Sequence, residues 1–214
     1  MKRLSVISLL ALALLATGGC QLDEEDTYVR PASYVAPAVG KAAPEFKAVD
    51  TYGKTHSLSQ YRGKWVVLEW LNHECPYVRK HYNNNVMQAL QKKYAEKGVV
   101  WLSIVSSAPG NQGHFPNDKA NALTKEKGAA PHAVLIDESG TVGRLYDART
   151  TPHMFVINPQ GTLLYMGGID DKPTARASDI EGARPHVDMA LQEAMAGKPV
   201  SVPTSQPYGC SVKY

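Results

Sequence analysis

Hydrophobic positions along the chain alternate between short continuous runs and stripes at helical spacing. Residues 65–71 and 99–105 are nearly continuous apolar runs, which are typical of strands buried in the middle of a sheet. Between them, residues from 76 to about 97 carry apolar side chains at helical spacing, and Gly98 follows where a helix commonly ends. The pattern therefore predicts one long helix between two core strands.

The same criteria predict the remaining elements, and together they indicate an α/β fold with a central mixed sheet flanked by helices. The turn Pro159-Gln160-Gly161 separates two apolar runs and predicts a hairpin at the end of the sheet. A shorter accessory hairpin is expected near the N-terminus, where residues 50–54 separate Phe46 from Leu58. The other expected elements, in chain order, are a helix over 119–127, a strand over 133–137, a short helix over 142–147, the hairpin strands 153–158 and 162–167, and a helix over 183–196.

The N-terminus has the features of an export signal. Lys2 and Arg3 precede an apolar run over residues 4–16, which is too short to span a bilayer, and small residues follow it. Because those small residues directly precede Cys20, the segment resembles a bacterial lipoprotein signal, in which that cysteine is acylated. Thr17 departs from the lipoprotein pattern, and ordinary cleavage nearby is the alternative. We expect export to the periplasmic side of a bacterial membrane, with a lipid anchor at Cys20.

Four segments are expected along the chain: a signal over 1–19, a flexible tether over 20–38, a folded domain over 39–198, and a tail over 199–214 that carries Cys210. The tether is acidic and then rich in proline and alanine, with no hydrophobic period. Prolines argue against a regular element in the tail. Its aromatic residues and glycine nevertheless predict that it docks on the domain.

Composition narrows the possible functions. The chain has 214 residues, of which 43% are hydrophobic and 20% charged, so that one domain can bury an adequate core. A net charge of +3 indicates no basic face, and nucleic acid is therefore not expected as a partner. With Cys20 assigned to the anchor, two of the three cysteines, Cys75 and Cys210, remain for chemistry outside the reducing cytosol.

Cys75 follows the first predicted core strand and opens a helix. The thiolate is the nucleophilic form of cysteine, and the unpaired N–H groups at a helix N-terminus stabilise its charge. Pro76 suits the first helical turn, and Arg79, one turn further on, could add a positive charge. The alternative interpretation of Cys75 is an inert packing residue.

A series of short motifs appears in a fixed order along the chain: Gly40-Lys41-Ala42-Ala43-Pro44-Glu45-Phe46, Asp50, Gly53-Lys54, Leu58-Ser59, Tyr61-Arg62-Gly63-Lys64 and Thr151-Pro152. Together they resemble the redoxins, the alkyl hydroperoxide reductase and thiol-specific antioxidant family of the thioredoxin-like superfamily. The resemblance covers about 39–198 and implies a thioredoxin-like fold with Cys75 as the reactive cysteine. It also implies a cis Pro152 facing Cys75, main-chain groups of Thr151 that bind substrate, and Glu69 as a buried acid that moves protons. Residues 72–82 and 207–214 look like a poorly characterised bacterial subgroup.

Departures from the family pattern decide which thiol chemistry is expected. Val78 stands where thioredoxins carry a second cysteine, so that a resolving thiol must come from elsewhere. Asn72 stands where peroxiredoxins carry a threonine, which puts efficient peroxide reduction in doubt, although Asn72 could still donate a hydrogen bond to substrate. Cys210 is the candidate resolving thiol. A Cys75–Cys210 disulfide could be redox-active or structural, and a Cys210 that pairs with another chain is the third possibility.

The predicted function is thiol–disulfide exchange by an exported oxidoreductase. Cys75 would attack a disulfide in a protein or small molecule, Cys210 would resolve the mixed species, and an upstream thiol would reduce the pair. A thiol peroxidase and a non-catalytic binding module with a permanent disulfide are the alternatives. No cofactor is expected, because the chain has no glycine-rich phosphate loop. No metal is expected either, because Cys75 with His73 and His81 lacks the second cysteine of the copper chaperones.

Overall fold

A seven-stranded mixed β-sheet forms the centre of residues 34–214, the part of the chain that this computed structural model describes. Its strand order is β2-β1-β5-β4-β3-β7-β8, with β3, β4 and β5 parallel and the other neighbours antiparallel. The mixed sheet predicted from the sequence is confirmed. Its strands are β1 (Lys47–Asp50), β2 (Thr55–Ser57), β3 (Val66–Trp70), β4 (Val100–Val105), β5 (Ala133–Ile136), β7 (His153–Ile157) and β8 (Leu163–Gly167).

The N-terminal hairpin is part of the main sheet. Strand β1 pairs with β2 on one side and, antiparallel, with β5 on the other, where Val49 lies opposite Ile136. The accessory hairpin expected from the sequence therefore exists, and it extends the central sheet by two strands.

Helices cover both faces of the sheet, as predicted. Alternate residues of β3 point to opposite faces because side chains alternate along a strand. Val67 packs against the two helices that follow Cys75 in the chain, whereas Leu68 and Trp70 pack on the other face with Tyr146. The helices are α1 (Pro76–Asn83), α2 (Val86–Ala95), α3 (Asn117–Glu126), α4 (Thr141–Leu145) and α5 (His186–Met195).

The single helix predicted over residues 76 to about 97 is wrong, because α1 and α2 are separate helices. Asn85, the residue before α2, has a φ of 58°, a left-handed conformation that asparagine tolerates better than most residues. At the break the carbonyl of Tyr82 accepts a hydrogen bond of 3.2 Å from the Asn85 N–H and one of 2.7 Å from the Gln88 side chain. The apolar stripe continues on both sides of the break, which is why spacing alone did not reveal it.

The C-terminal tail crosses the end of the domain and forms a strand. Strand β9 (Cys210–Ser211) pairs antiparallel with β6 (Thr150–Thr151), immediately before the cis peptide bond between Thr151 and Pro152. Tyr208 is buried beneath this segment. The tail therefore docks on the domain, as expected. The expectation that it contains no regular element is wrong for Cys210 and Ser211, because Thr150 and Thr151 offer a strand edge with which they pair.

The signal over 1–19, Cys20 and the tether as far as residue 33 lie outside the described residues. Within residues 34–214, no helix combines the length and the apolar character needed to cross a membrane.

Candidate active site around Cys75 and Cys210

A tight turn after β3 places Cys75 at the N-terminus of α1. The Asn72 side chain accepts a hydrogen bond of 2.9 Å from the Glu74 N–H, and the Asn72 carbonyl accepts one of 3.0 Å from the Cys75 N–H. Cys75 has an extended backbone as the residue before the helix, and Pro76 occupies the first helical position. The sulfur therefore lies beside the unpaired N–H groups of the first turn.

Two segments distant in sequence face the Cys75 sulfur. The Cys75 thiol donates a hydrogen bond of 3.1 Å to the carbonyl of Thr151, and the main-chain N–H of Cys210 lies 3.4 Å from the same sulfur. Cys210 is directly opposite Thr151 in the β6–β9 pair. The tail thereby completes a closed site in which Cys75 has no exposed surface.

The surroundings lower the pKa of the Cys75 thiol. Burial acts to raise it, but hydrogen bonds from the Cys210 thiol and from the main-chain N–H groups of Val78 and Cys210 favour the thiolate and outweigh burial. The Thr151 carbonyl opposes them, because it accepts a hydrogen bond only from the protonated form. Donors at the start of α1 and on the tail therefore both activate the sulfur.

Cys210 has the opposite character. Burial, together with the hydrogen bond to Cys75 and the charge on that residue, raises the pKa of Cys210 to about 11. Both cysteines are free thiols in the structure, in hydrogen-bond contact with each other. One sulfur is thus prepared to attack, and the other remains protonated beside it.

The structure places Asn72 and Arg79 next to the site without directing their side chains at the sulfur. The Asn72 amide nitrogen makes two long hydrogen bonds, of 3.4 and 3.5 Å, to Gln112, and Gly113 packs against the same side chain. Arg79 donates its main-chain N–H to the Cys75 carbonyl at 2.9 Å, while its side chain lies on the exposed face of α1. The Arg79 guanidinium is not among the groups that shift the pKa of Cys75.

Glu69 is a completely buried carboxylate in β3, held by four side-chain donors. Its oxygens accept hydrogen bonds of 2.7 to 3.2 Å, and none of these donors is a cysteine. Burial raises its pKa despite the four donors. The donors are Tyr82, Gln91, Trp101 and Ser103. Glu69 therefore joins β3 and β4 to both helices of the α1–α2 pair, a role that the sequence did not indicate.

A second set of polar residues near Cys210 went unrecognised in the sequence. Tyr208 donates its hydroxyl hydrogen to Asp170, and His81 and Lys80 of α1 lie next to this pair. Asp170 is in the loop after β8, about 90 positions from α1, and no motif linked the two segments. The one available signal was the ending itself, which places a tyrosine two residues before the candidate resolving cysteine.

Comparison with known proteins assigns the chain to a family. The AhpC/TSA family matches residues 39–166. Peroxiredoxin TSA1-B of Candida albicans is 30% identical over 167 residues, covering 67% of this chain and 76% of the relative. Thiol-disulfide oxidoreductase ResA of Geobacillus kaustophilus is 29% identical over 130 residues, covering 59% and 67%. The chain spans about half, 54%, of the selenocysteine-containing peroxiredoxin PrxU of Peptoclostridium acidaminophilum, with 32% identity over 113 residues.

Solved structures give the same fold. A conserved protein from Geobacillus kaustophilus superposes with a TM-score of 0.70 at 24% identity, covering 83% of this chain and 92% of that one. A putative thiol:disulfide interchange protein DsbE from Chlorobium tepidum superposes with a TM-score of 0.53 at 21% identity, covering 76% and 98%. The chain belongs to the AhpC/TSA family and has a thioredoxin-like fold, which confirms the predicted family and fold class. Its relatives include thiol–disulfide oxidoreductases and peroxiredoxins, which supports an oxidoreductase function.

Proposed function

We propose that this protein is a thiol–disulfide oxidoreductase in which Cys75 is the nucleophile and Cys210 the resolving cysteine. The observation that carries the proposal is the contact between the two thiols at the start of α1, where the tail brings the Cys210 N–H within 3.4 Å of the Cys75 sulfur. The lowered pKa of Cys75 and the raised pKa of Cys210 support the division of roles.

The proposed reaction moves two electrons from the cysteine pair to a substrate disulfide. The Cys75 thiolate attacks one substrate sulfur, the substrate S–S bond breaks, and the other sulfur leaves as a thiolate. Cys210 then loses its proton and attacks the Cys75 sulfur. The mixed disulfide breaks, the second substrate thiolate leaves, and a Cys75–Cys210 disulfide remains. An external thiol reductant returns the pair to the reduced form.

Substrate access requires the tail to move. Cys75 is fully buried, and β9 occupies the edge of Thr151 with which an extended substrate chain would pair. We therefore propose that the tail undocks to admit the disulfide and returns to resolve it. Thr151 and Pro152 would position the substrate main chain, as the family resemblance implies, and Pro76 would border the same opening.

Two variants test the division of roles. Cys75→Ser should abolish reduction of a peptide disulfide, whereas Cys210→Ser should attack the substrate and accumulate a mixed disulfide on Cys75, seen by intact mass spectrometry. Full multiple-turnover activity in Cys75→Ser would overturn the proposal. A Cys210→Ser variant that turns over normally would remove Cys210 from the mechanism and leave Cys75 in place.

Thiol peroxidase activity is the second candidate, supported by the AhpC/TSA family and by the peroxiredoxin relatives. In that reaction the Cys75 thiolate takes the terminal oxygen of a hydroperoxide, an alcohol leaves, and Cys75 becomes a sulfenic acid; Cys210 then attacks the sulfur and water leaves. Asn72, at the position of the family's threonine, already bonds to Glu74 and Gln112. Rapid sulfenate formation in Cys210→Ser at micromolar peroxide would favour this activity, and oxidation only at millimolar peroxide would exclude it.

We further propose that the protein is exported and anchored through an acylated Cys20, with a tether to residue 38, a redoxin domain over 39–198 and a cysteine-bearing tail over 199–214. The support is the order of basic, apolar and small residues before Cys20. Intact mass spectrometry of the full chain expressed in a bacterium should show a diacylglyceryl group on an N-terminal Cys20. Cys20→Ala should remain unacylated, and a wild-type protein that begins elsewhere without lipid would contradict the anchor.

A further inference from the structure

Three titratable side chains are buried together beside the active site, around the hydroxyl group of Tyr208. The exposed fractions are 3% for Lys80, 0% for His81 and 6% for Asp170. Residues that carry charge are rarely buried to this extent unless they have partners, because losing water costs several kcal/mol per ion. The main chain of Lys172 accepts a hydrogen bond from Lys80 and donates one to Asp170, and the tail supplies a further partner.

Tyr208 makes hydrogen bonds to two members of this cluster. Its hydroxyl group donates to one Asp170 oxygen, and its oxygen lies 3.2 Å from His81 Nε2. Lys80 Nζ is 3.7 Å from the other Asp170 oxygen and 5.7 Å from the centre of the Tyr208 ring. Because the hydroxyl hydrogen points to Asp170, His81 Nε2 is the donor to the phenol oxygen. A neutral His81 satisfies this arrangement, and burial lowers its pKa to about 4.

We infer that Lys80, His81 and Asp170 form a phenol-binding pocket that selects the cysteine presented to Cys75, by recognising a tyrosine two residues before it. The inference rests on the proposed function and names its substrate class. In the docked tail the ligand is Tyr208 with Cys210. When the tail is released, the pocket takes an extended protein segment with the sequence tyrosine-glycine-cysteine.

The geometry of the docked tail explains the spacing. Tyr208 and Cys210 both face α1, because the Tyr208 hydroxyl oxygen lies 3.2 Å from His81 Nε2 and the Cys210 N–H lies 3.4 Å from the Cys75 sulfur. Cys75 precedes this helix, and Lys80 and His81 lie within it. The intervening position must be small, because a Cβ on Gly209 would lie 2.0 Å from the Thr151 carbonyl oxygen. The groove therefore specifies three consecutive positions of a bound chain.

Selectivity should come from the hydroxyl group. A phenylalanine in place of the tyrosine fills the same space, but it removes one hydrogen bond to Asp170 and leaves the buried His81 Nε2–H group without its acceptor. Pockets built to hydrogen-bond a hydroxyl discriminate strongly against analogues that lack it. We expect at least a tenfold preference for tyrosine.

The test uses the full chain with Tyr208→Ala and Cys210→Ser, which empties the pocket and removes the internal thiol. The probes are the peptides Pro-Tyr-Gly-Cys-Ser-Val and Pro-Phe-Gly-Cys-Ser-Val, each joined through its cysteine to thionitrobenzoate. Reaction with Cys75 forms the peptide mixed disulfide and releases coloured thionitrobenzoate. The second-order rate constant should be at least tenfold larger for the tyrosine peptide. Adding Asp170→Ala should reduce the ratio to within about twofold, because the acceptor of the phenol hydrogen is gone.

Equal rate constants for the two peptides would overturn the pocket. Because Lys80, His81 and Asp170 are unchanged in the protein that is tested, this comparison does not depend on the folding of a pocket variant. A purely structural role for the cluster would alter stability but would leave the ratio at one. The small disulfide dithiobis(nitrobenzoate) distinguishes a failure of the pocket from a failure of the proposed function. If Cys75 reacts with it and equally with both peptides, only the pocket fails; if Cys75 reacts with none of the three, the proposed function fails as well.

Discussion

Cys210 lies directly opposite Thr151 in an antiparallel pair of two-residue strands. This register brings the Cys210 N–H group within 3.4 Å of the Cys75 sulfur, although the two cysteines are 135 positions apart. The second thiol of the site is therefore delivered by the tail, across the main chain of Thr151, instead of by the next turn of the helix.

Gly209→Ala should release the tail and expose Cys75. Gly209 has a φ of 139°, and an added Cβ would lie 2.0 Å from the Thr151 carbonyl oxygen, so that β9 cannot keep its place beside β6. We expect alkylation of Cys75 by iodoacetamide to be at least tenfold faster, which corresponds to a loss of about 1.4 kcal/mol of docking free energy.

The matched control is Gly197→Ala. Gly197 also has a positive φ, of 72°, but an added Cβ there meets no atom within 4 Å. This variant carries the backbone strain without the clash, and its Cys75 should react at the wild-type rate. The same rate in both variants would argue against the tail as the cover of Cys75.

Cys210→Ala should raise the pKa of Cys75. The Cys210 thiol donates a hydrogen bond that favours the Cys75 thiolate, and alanine removes this donor. The titration is followed by thiolate absorbance in the ultraviolet, with Cys75→Ser as the blank. Cys210→Ser keeps an O–H donor and should titrate closer to the wild type. A pKa in Cys210→Ala that is unchanged or lower would show that the tail thiol does not activate Cys75.

Glu69→Gln should change how stability depends on pH. Because burial raises the folded-state pKa of Glu69 above 4.5, its protonated form stabilises the fold below that pH, and this contribution is lost as pH rises through the folded-state pKa. Glutamine cannot ionise, so the Glu69→Gln protein does not lose this stability as pH rises. It should be less stable by about 1–3 kcal/mol near pH 4.5, because its amide NH₂ brings two hydrogens among the four buried donors, where the protonated carboxyl brings one.

Urea unfolding across a pH series measures this effect. The stability advantage of the wild type over Glu69→Gln should shrink as pH rises above 4.5. Asp137, whose pKa burial also raises, is present in both proteins and cancels in the difference. An advantage that stays constant or grows with pH would mean that Glu69 is ionised in the fold without cost.

The parts of the fold that the sequence predicted correctly rest on local signals. Strands β3 and β4 are continuous apolar runs, and the β7–β8 hairpin has a glycine-containing turn between two such runs. Cys75 could be placed because the end of a strand and the proline at the start of a helix adjoin it in the chain. Family motifs then pointed to Thr151 and Pro152.

The features of the fold and the site that could not be predicted from the sequence depend on contacts between distant segments. Strand β9 has two residues and no period, and its register depends on the close approach of Gly209 to Thr151. Arg79 was expected to act on Cys75 from one turn along the helix, but distance along the axis does not determine which face a side chain occupies. The pocket around Tyr208 joins the tail to α1 and to a loop that sequence spacing cannot relate to either.

The most direct test of the Cys75–Cys210 pair is its redox titration. The reduced protein is equilibrated across a series of glutathione buffers, quenched with acid, alkylated, and analysed by peptide mass spectrometry. Cys75 and Cys210 should become protected together, in one two-electron transition at a potential above about −300 mV, the range of disulfides that thiol buffers can reduce. Glutathione adducts on Cys75 with Cys210 always free would contradict the pair. A Cys75–Cys210 bond that resists reduction at the most reducing poise would instead make it a permanent structural link and the protein a binding module.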